Sequence, residues 1–433
     1  MYFLLIVITL LLPISYYTFK KDFASPSFLL YIGYFIAAVA ATYNIVAWNI
    51  DISNQLIAIF LTGWCSFFLG ELFVREILYK EKRRGGFIPY DNKLREIKVE
   101  KAKVFVIILI DIIVTLLLYR EVVRIASISG SSSESMMYNY KTNLFETGMS
   151  SLVTQTTKFT KGAAYVFLFI FVNNIIAQDK INKKCLLRNV LYLFPGIIYC
   201  IQCFLRGGRY TVIAYIIAMV FEVYFFMQYK NNWKYTVPLK TIIRMMGIVF
   251  AVFVGFWLVK EMVGRSSEAS FLEYITRYIG GPYELFSLYL NDPPPASNET
   301  FAGILTSLNK LGLTDASIRA YHEFRFSTTN ILLGNVYTAF RTYYNDYGVI
   351  GVGLLSFLLS LIFNVAYHKL RRADVYRYKF QNILYSSLLY CIVFNFFVDY
   401  FYARLSLGYL IEIFIMYIIY FFVFRTRIKQ RLE

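Results

Sequence analysis

Two arginines that bracket a pair of glycines, Arg206, Gly207, Gly208 and Arg209, are the residues of this chain best suited to hold an anion. Glycine lets backbone N–H groups approach a ligand closely, and each guanidinium offers paired donors to phosphate oxygens. The apolar run that follows reads as a helix, whose positive end and unpaired amides add to the same attraction. Thr211 is a candidate cap for it. A phosphate or diphosphate is the ligand this grouping fits. The competing reading is interfacial, since arginines at the end of a membrane helix also snorkel toward headgroups.

A second set lies between residues 261 and 347. Arg265, Arg277, Arg319, Arg325 and Arg341 recur there against Glu261, Glu268, Glu273, Glu284, Glu323 and Asp346. Arginine keeps its charge and fork geometry when partly desolvated, so this preference over lysine favours oxyanion recognition. His322 stands between Arg319 and Arg325 with Glu323 beside it, as a candidate base or diphosphate donor; a lone histidine is equally a structural residue. Missing motifs narrow the chemistry. There is no Walker A sequence, HExxH, Cys/His cluster or Asp-x-Asp pair, so no cofactor, metal or metal-held nucleotide sugar is expected.

What must position these residues is a membrane. With 58% hydrophobic and 16% charged residues over 433 positions, the composition is far from that of a soluble domain. Apolar runs of about 17 to 25 residues recur, the length that crosses roughly 30 Å of hydrocarbon as a helix. They give about eleven spans, near 1–18, 28–47, 53–74, 103–119, 161–177, 190–205, 211–229, 242–260, 348–367, 380–398 and 406–424. The fold class is therefore an all-α, polytopic membrane protein, a single membrane domain over 1–433 with the large, partly helical 261–347 loop as a subdomain. Within that loop, Phe271 to Leu290 and Phe301 to Leu311 read as amphipathic helices around Pro293, Pro294 and Pro295.

The net charge of +17 is topological and does not call for a nucleic-acid partner. About 29 of the 44 Lys and Arg fall in alternate short loops and the C-terminal tail, which marks that side as cytoplasmic. His368 falls there. The N-terminus is then outside and the C-terminus inside, and the Ser-rich 120–160 segment, the Arg206–Arg209 junction and the 261–347 loop are extracytoplasmic. Five scattered cysteines form no disulfide framework, and Cys200 and Cys203 read as helix-packing residues. Asp111, Glu222 and Glu412 sit inside spans, where carboxyls are costly and either functional or paired.

Several short pieces in fixed order carry a resemblance. They are Arg206 to Tyr210 opening a span; Gly264 and Arg265; Tyr278 through Pro282, with Phe286, Tyr289 and Leu290; Glu299, Thr300 and Phe301; then Asn335 through Arg341 and Asp346 through Gly348. In order and sidedness this resembles the Wzy-type oligosaccharide repeat-unit polymerases that build bacterial O-antigen and capsular polysaccharide.

The resemblance implies a multi-helix, GT-C-like membrane glycosyltransferase of the bacterial cytoplasmic (inner) membrane that works without metal. Its substrates would be undecaprenyl-diphosphate-linked oligosaccharides, with membrane lipids around it and a chain-length regulator and a flippase as partners. Under it, Arg206 and Arg209 are the first candidates for binding diphosphate and Arg265 and Arg341 the second. His322, Glu323 or Asp346 would activate the acceptor, although Asp346 suits equally well a cap on the span beginning at Gly348. Tyr210, Tyr278, Tyr283 and Tyr337 are candidate sugar platforms, because a tyrosine ring offers an apolar face and a hydroxyl. An O-antigen ligase shares this architecture, and a lipid-linked oligosaccharide flippase or transporter is the reading from a different class.

Overall fold

Backbone groups inside lipid must bond internally, so long apolar runs fold as helices. The computed structural model of the chain describes residues 1–78, 93–129, 136–178, 183–234, 237–238, 247, 254–255, 257, 270–319 and 321–425. In chain order the helices are α1 (Tyr2–Thr18), α2 (Pro26–Tyr43), α3 (Asn54–Phe73), α4 (Lys101–Ala126), α5 (Met136–Thr147), α6 (Ser151–Ala177), α7 (Lys183–Asn189), α8 (Phe194–Leu205) and α9 (Arg209–Lys230). After these come α10 (Phe271–Asn291), α11 (Ala302–Lys310), α12 (Ala339–Arg371), α13 (Lys379–Leu388), α14 (Tyr390–Val393) and α15 (Leu407–Phe424). A short antiparallel hairpin before α12 pairs β1 (Arg325–Phe326) with β2 (Leu332–Gly334).

The chain is a mostly helical, polytopic membrane protein. Among the described residues, eight segments are long and apolar enough to cross a membrane: Pro26–Tyr43, Asn54–Leu78, Lys101–Ala126, Ser151–Ala177, Leu186–Leu205, Arg209–Lys230, Ala339–Arg371 and Leu407–Phe424. Tyr2–Thr18 is a shorter apolar helix. The span expected at 242–260 lies largely outside the described residues. Both amphipathic helices expected in the long loop are present, as α10 and α11.

The span expected at 380–398 is broken. α13 stops at Leu388, α14 adds one turn, and Phe394–Phe397 are turns. Interrupted backbone survives among membrane helices only where other protein groups satisfy it. Here the Asn395 carbonyl accepts from the Ala339 amide at 2.9 Å and from the Tyr34 hydroxyl at 3.2 Å. Asp399 accepts from the amides of Phe401, Tyr402 and Ala403 and from the Tyr343 hydroxyl.

Where the sequence reading treats 1–433 as one membrane domain, the chain divides into two compact units. The first holds Met1–Ile88, Ala269–Ala373 and Leu388–Tyr409; the second holds Pro89–Glu268, Asp374–Ser387 and Leu410–Glu433.

In the first unit α12 packs along α3, and α10 along α2. Its core is aromatic: Phe60 stacks on Tyr283 at 4.7 Å, and Tyr34 on Phe340 at 5.1 Å. Two of its buried carboxylates are paired with arginines. Glu71 accepts from the Ser25 hydroxyl, the Ser27 amide and Arg75, while Asp22 accepts from the Tyr367 hydroxyl and Arg371.

In the second unit α6 packs against α8 and α9, and α4 against α5, α6 and α8. Gln202 ties three of these together by donating to Thr115 at 2.8 Å and Thr160 at 3.0 Å. Within the Ser-rich 120–160 segment, α5 lies on α4 through Met137, Tyr140, Leu118, Val122 and Ile125. The next turn is fixed by Glu121, which accepts from the Ser150 amide.

Candidate functional site

The long loop builds its polar centre from four pieces of chain. The first turn of α12 supplies Arg341, α10 supplies Tyr289, the turn before α11 supplies Glu299, and residues 319–325 supply Arg319, His322, Glu323 and Arg325. Arg341 donates to Glu299 Oε2 at 2.7 Å and to Nδ1 of His322, and its other terminal nitrogen lies 3.2 Å from Glu323 Oε2. Its guanidinium carbon sits 4.4 Å from the ring centre of Tyr289 and 4.6 Å from that of Tyr337. The side chain has 0% exposure.

That geometry corrects the assignment of Arg341 to diphosphate binding. Two carboxylates compensate its charge and two rings cover its faces, so no part of it is presented to a ligand. It positions other groups. Tyr337 is corrected with it: the ring is enclosed, packs against His322 at 5.3 Å, and its hydroxyl donates to Glu323 at 3.1 Å. Tyr283 is a core residue, stacked on Phe60 and donating to the Tyr34 carbonyl at 3.2 Å, and so offers no sugar platform. Tyr278 remains partly exposed on α10, beside Tyr274.

A guanidinium can only donate, so Nδ1 of His322 meets Arg341 with its lone pair and the ring proton resides on Nε2. The ring is neutral: burial first, then the charges of Arg341 and Arg319, hold His322 well below its ordinary 6.5. Of the two roles expected for it, the donor is the one this arrangement supports. Glu323 is drawn the other way. Burial acts to raise it, but its own backbone amide and the charges of Arg341 and Arg325 prevail and hold it below the usual carboxylate range. An ionised carboxylate so fully matched by cations is a weak base.

Asp346 accepts from the amides of Glu299 at 3.1 Å and Thr300 at 2.7 Å, and from the Asn345 side chain at 2.7 Å. It clamps the turn before α11 to α12. Gly348, at φ 62°, is the kink between two helical stretches of α12, and the Asp346 carboxylate accepts from the turn before α11 and from Asn345.

Sequence reasoning passed over Glu299 as a functional group. Its carboxyl is 2% exposed. Burial raises it to about 7, against the pull of Arg341 and Arg319 and with a further push from Asp346 and Glu323. The residue lies far from its partners in sequence and has no periodic signal; its place in the Glu299, Thr300, Phe301 piece was the one available clue.

Arg206, Arg209 and Tyr210 belong to the second unit. Arg206 ends α8 and is exposed. Gly207 takes φ 65°, a left-handed conformation that favours glycine. Gly208 occupies the cap position of α9, and no side chain caps that helix. Thr211 does not serve as the cap; its hydroxyl donates to the Gly208 carbonyl at 2.8 Å. Two lysines missing from the sequence reading stand nearby on α6. Cys203 lies within electrostatic reach of both Arg206 and Lys161, and Lys161 pairs with Glu412 at 2.6 Å, with Lys158 in range of both. Drawing the span from 161 had hidden them at its edge. Arg265 lies outside the described residues.

The structure thus brings His322, Glu323, Asp346, Arg341 and Tyr337 together in the first unit, and Arg206, Arg209 and Tyr210 in the second. No family model, curated protein or solved structure matches the chain.

Proposed function

We propose that the chain is a metal-independent glycosyltransferase. It would polymerise undecaprenyl-diphosphate-linked repeat units into O-antigen or capsular polysaccharide on the outer face of the bacterial cytoplasmic membrane. The observation that carries this reading is the Arg206–Arg209 turn, where two arginines flank a left-handed glycine at the positive end of a membrane helix. Lys161 of α6 adds a second cation within electrostatic reach of Cys203, with Glu412 as its counter-charge.

In the reaction, a sugar hydroxyl of the next lipid-linked unit attacks the anomeric carbon of the growing chain. The bond from that carbon to the lipid diphosphate breaks, and the diphosphate leaves with the electron pair. Diphosphate is a good leaving group, so what it needs is stabilisation of developing charge, which Arg206, Arg209 and the positive end of α9 supply. The hydroxyl proton passes to water.

A second reading, movement of a lipid-linked oligosaccharide across the membrane, has one observation in its favour. Asp111 and Glu222 are wholly buried inside the α4 and α9 spans, where the hydroxyls of Thr160 and Ser386 are their close side-chain donors among the described residues. Deleting the chain and displaying surface glycan on a gel separates the readings. Polymerisation predicts loss of the polymer ladder with single repeat units still made at the surface. Retention of long polymer on its core overturns it. Long polymer left unattached to core identifies a ligase, and repeat units trapped inside identify a transporter.

A further inference from the structure

We propose that α11 and the turn after it, Ala302 to Leu313, form an interfacial anchor. It lies along the lipid headgroup layer of the leaflet at which α15 begins. The inference is independent of the catalytic reading.

The sequence of the segment is two-sided. Ile304, Leu308 and Leu311 recur at the four- and three-residue steps of a helical stripe, while Thr306 and Lys310 form another. No residue of α11 is buried. Ile304 is 38% exposed, Leu311 59% and Leu313 70%, so much of the apolar stripe is left uncovered by the described residues.

The level of the segment is fixed by a membrane helix. Ser307 accepts from the amide of Leu407, the first residue of α15, at 3.2 Å. It thereby satisfies one of the amides that the start of a spanning helix leaves open. Gly303 makes the approach possible, because a Cβ there would lie 2.5 Å from the Leu405 carbonyl oxygen and 2.7 Å from that of Ala403. At the other end Phe301 packs on Tyr402 at 5.7 Å and on Tyr347 at 6.5 Å. Just past the Gly348 kink, Ile350 is 83% exposed and Leu354 56%, on the outer flank of the α12 span.

The apolar stripe of α11 therefore continues a lipid-facing surface at the depth where spans begin. That continuity selects lipid over a protein as the occupant. A short helix with an aliphatic stripe, a polar stripe and a terminal lysine suits the boundary between acyl chains and headgroups.

The test uses the whole chain in nanodiscs of phosphatidylcholine and phosphatidylglycerol with brominated acyl chains, which quench tryptophan on contact. Leu313→Trp and Thr306→Trp are each compared with the parent, whose four tryptophans set the baseline. We expect quenching of the added residue to be about twofold or more greater at position 313 than at 306. Equal quenching at the two positions, or none at 313, overturns the anchor and leaves the stripe facing water or a protein absent from the nanodisc. If Leu313→Trp does not elute as a monodisperse particle, Leu311→Trp reports the same stripe with the same two outcomes.

Discussion

Arg341 and Glu299 form a 2.7 Å ion pair with 0% and 1% of their side chains exposed. A pair so enclosed is inert toward a ligand, yet breaking it leaves an uncompensated charge in the interior of the loop. The destabilisation from removing one partner of such a pair is about 3–5 kcal/mol.

Arg341→Ala is therefore expected to lower thermal stability sharply in detergent, by about 3–5 kcal/mol. A nearly unchanged melting temperature together with lost activity would restore Arg341 to the ligand site and reject its positioning role.

Arg206→Ala should behave in the opposite way. The residue is exposed, so its removal should shift stability by no more than about 0.5 kcal/mol. Polymerisation should nonetheless fall to background with membrane insertion intact, and Arg209→Ala should lose activity as well. If both variants polymerise normally, the proposed diphosphate site is gone.

The charge state of the loop cluster predicts opposing pH effects. His322 faces Arg341, Arg319, Glu299 and Tyr337, and its proton affinity is depressed. Below 6.5 the unfolded chain takes up a proton that the folded chain refuses, so this stabilisation is present above 6.5 and is lost as pH falls. Glu299, raised from 4.5 to about 7, contributes stability that is full below 4.5 and lost as pH rises through 7. Hydrogen exchange of residues 321–326 between pH 5 and 7 should therefore respond to two variants in contrary senses. Relative to the parent, His322→Gln should make protection fall more steeply with rising pH, and Glu299→Gln should make it rise. The same response in both variants would refute the assignment.

Asp346→Ala should strip two backbone amides and one side-chain amide of their acceptor, at a cost of about 1–3 kcal/mol. Asp346→Asn keeps one oxygen acceptor and should recover part of that stability together with activity. An Asn variant that is fully stable but inactive would identify Asp346 as a catalytic base.

Local features were the legible ones. The left-handed Gly207 turn between two helices follows from two adjacent glycines, and α10 and α11 follow from their periodicity. Helix ends were less visible. Hydropathy finds the stretch that lipid surrounds, so α6 was begun at 161 instead of Ser151, and the span of α12 at 348, where Gly348 kinks the helix that Ala339 starts. The interruption after Leu388 could not be seen, since Asn395 stands among apolar and aromatic residues and its partners lie on α2 and α12. The preference for arginine over lysine likewise pointed to oxyanion binding without telling the enclosed Arg341 from the exposed Arg206. That distinction depends on Glu299, which approaches Arg341 only after the chain has turned through α11 and the hairpin.

The broken segment after α13 also bears on how the chain is made. Tyr34, Ala339 and Tyr343, which hold Asn395 and Asp399, all precede that segment in the sequence. A ribosome releases them first, so the segment most costly to place in bare lipid emerges when its acceptors and donors already exist. Moved ahead of α12 by circular permutation, the same residues would leave the translocation channel without partners.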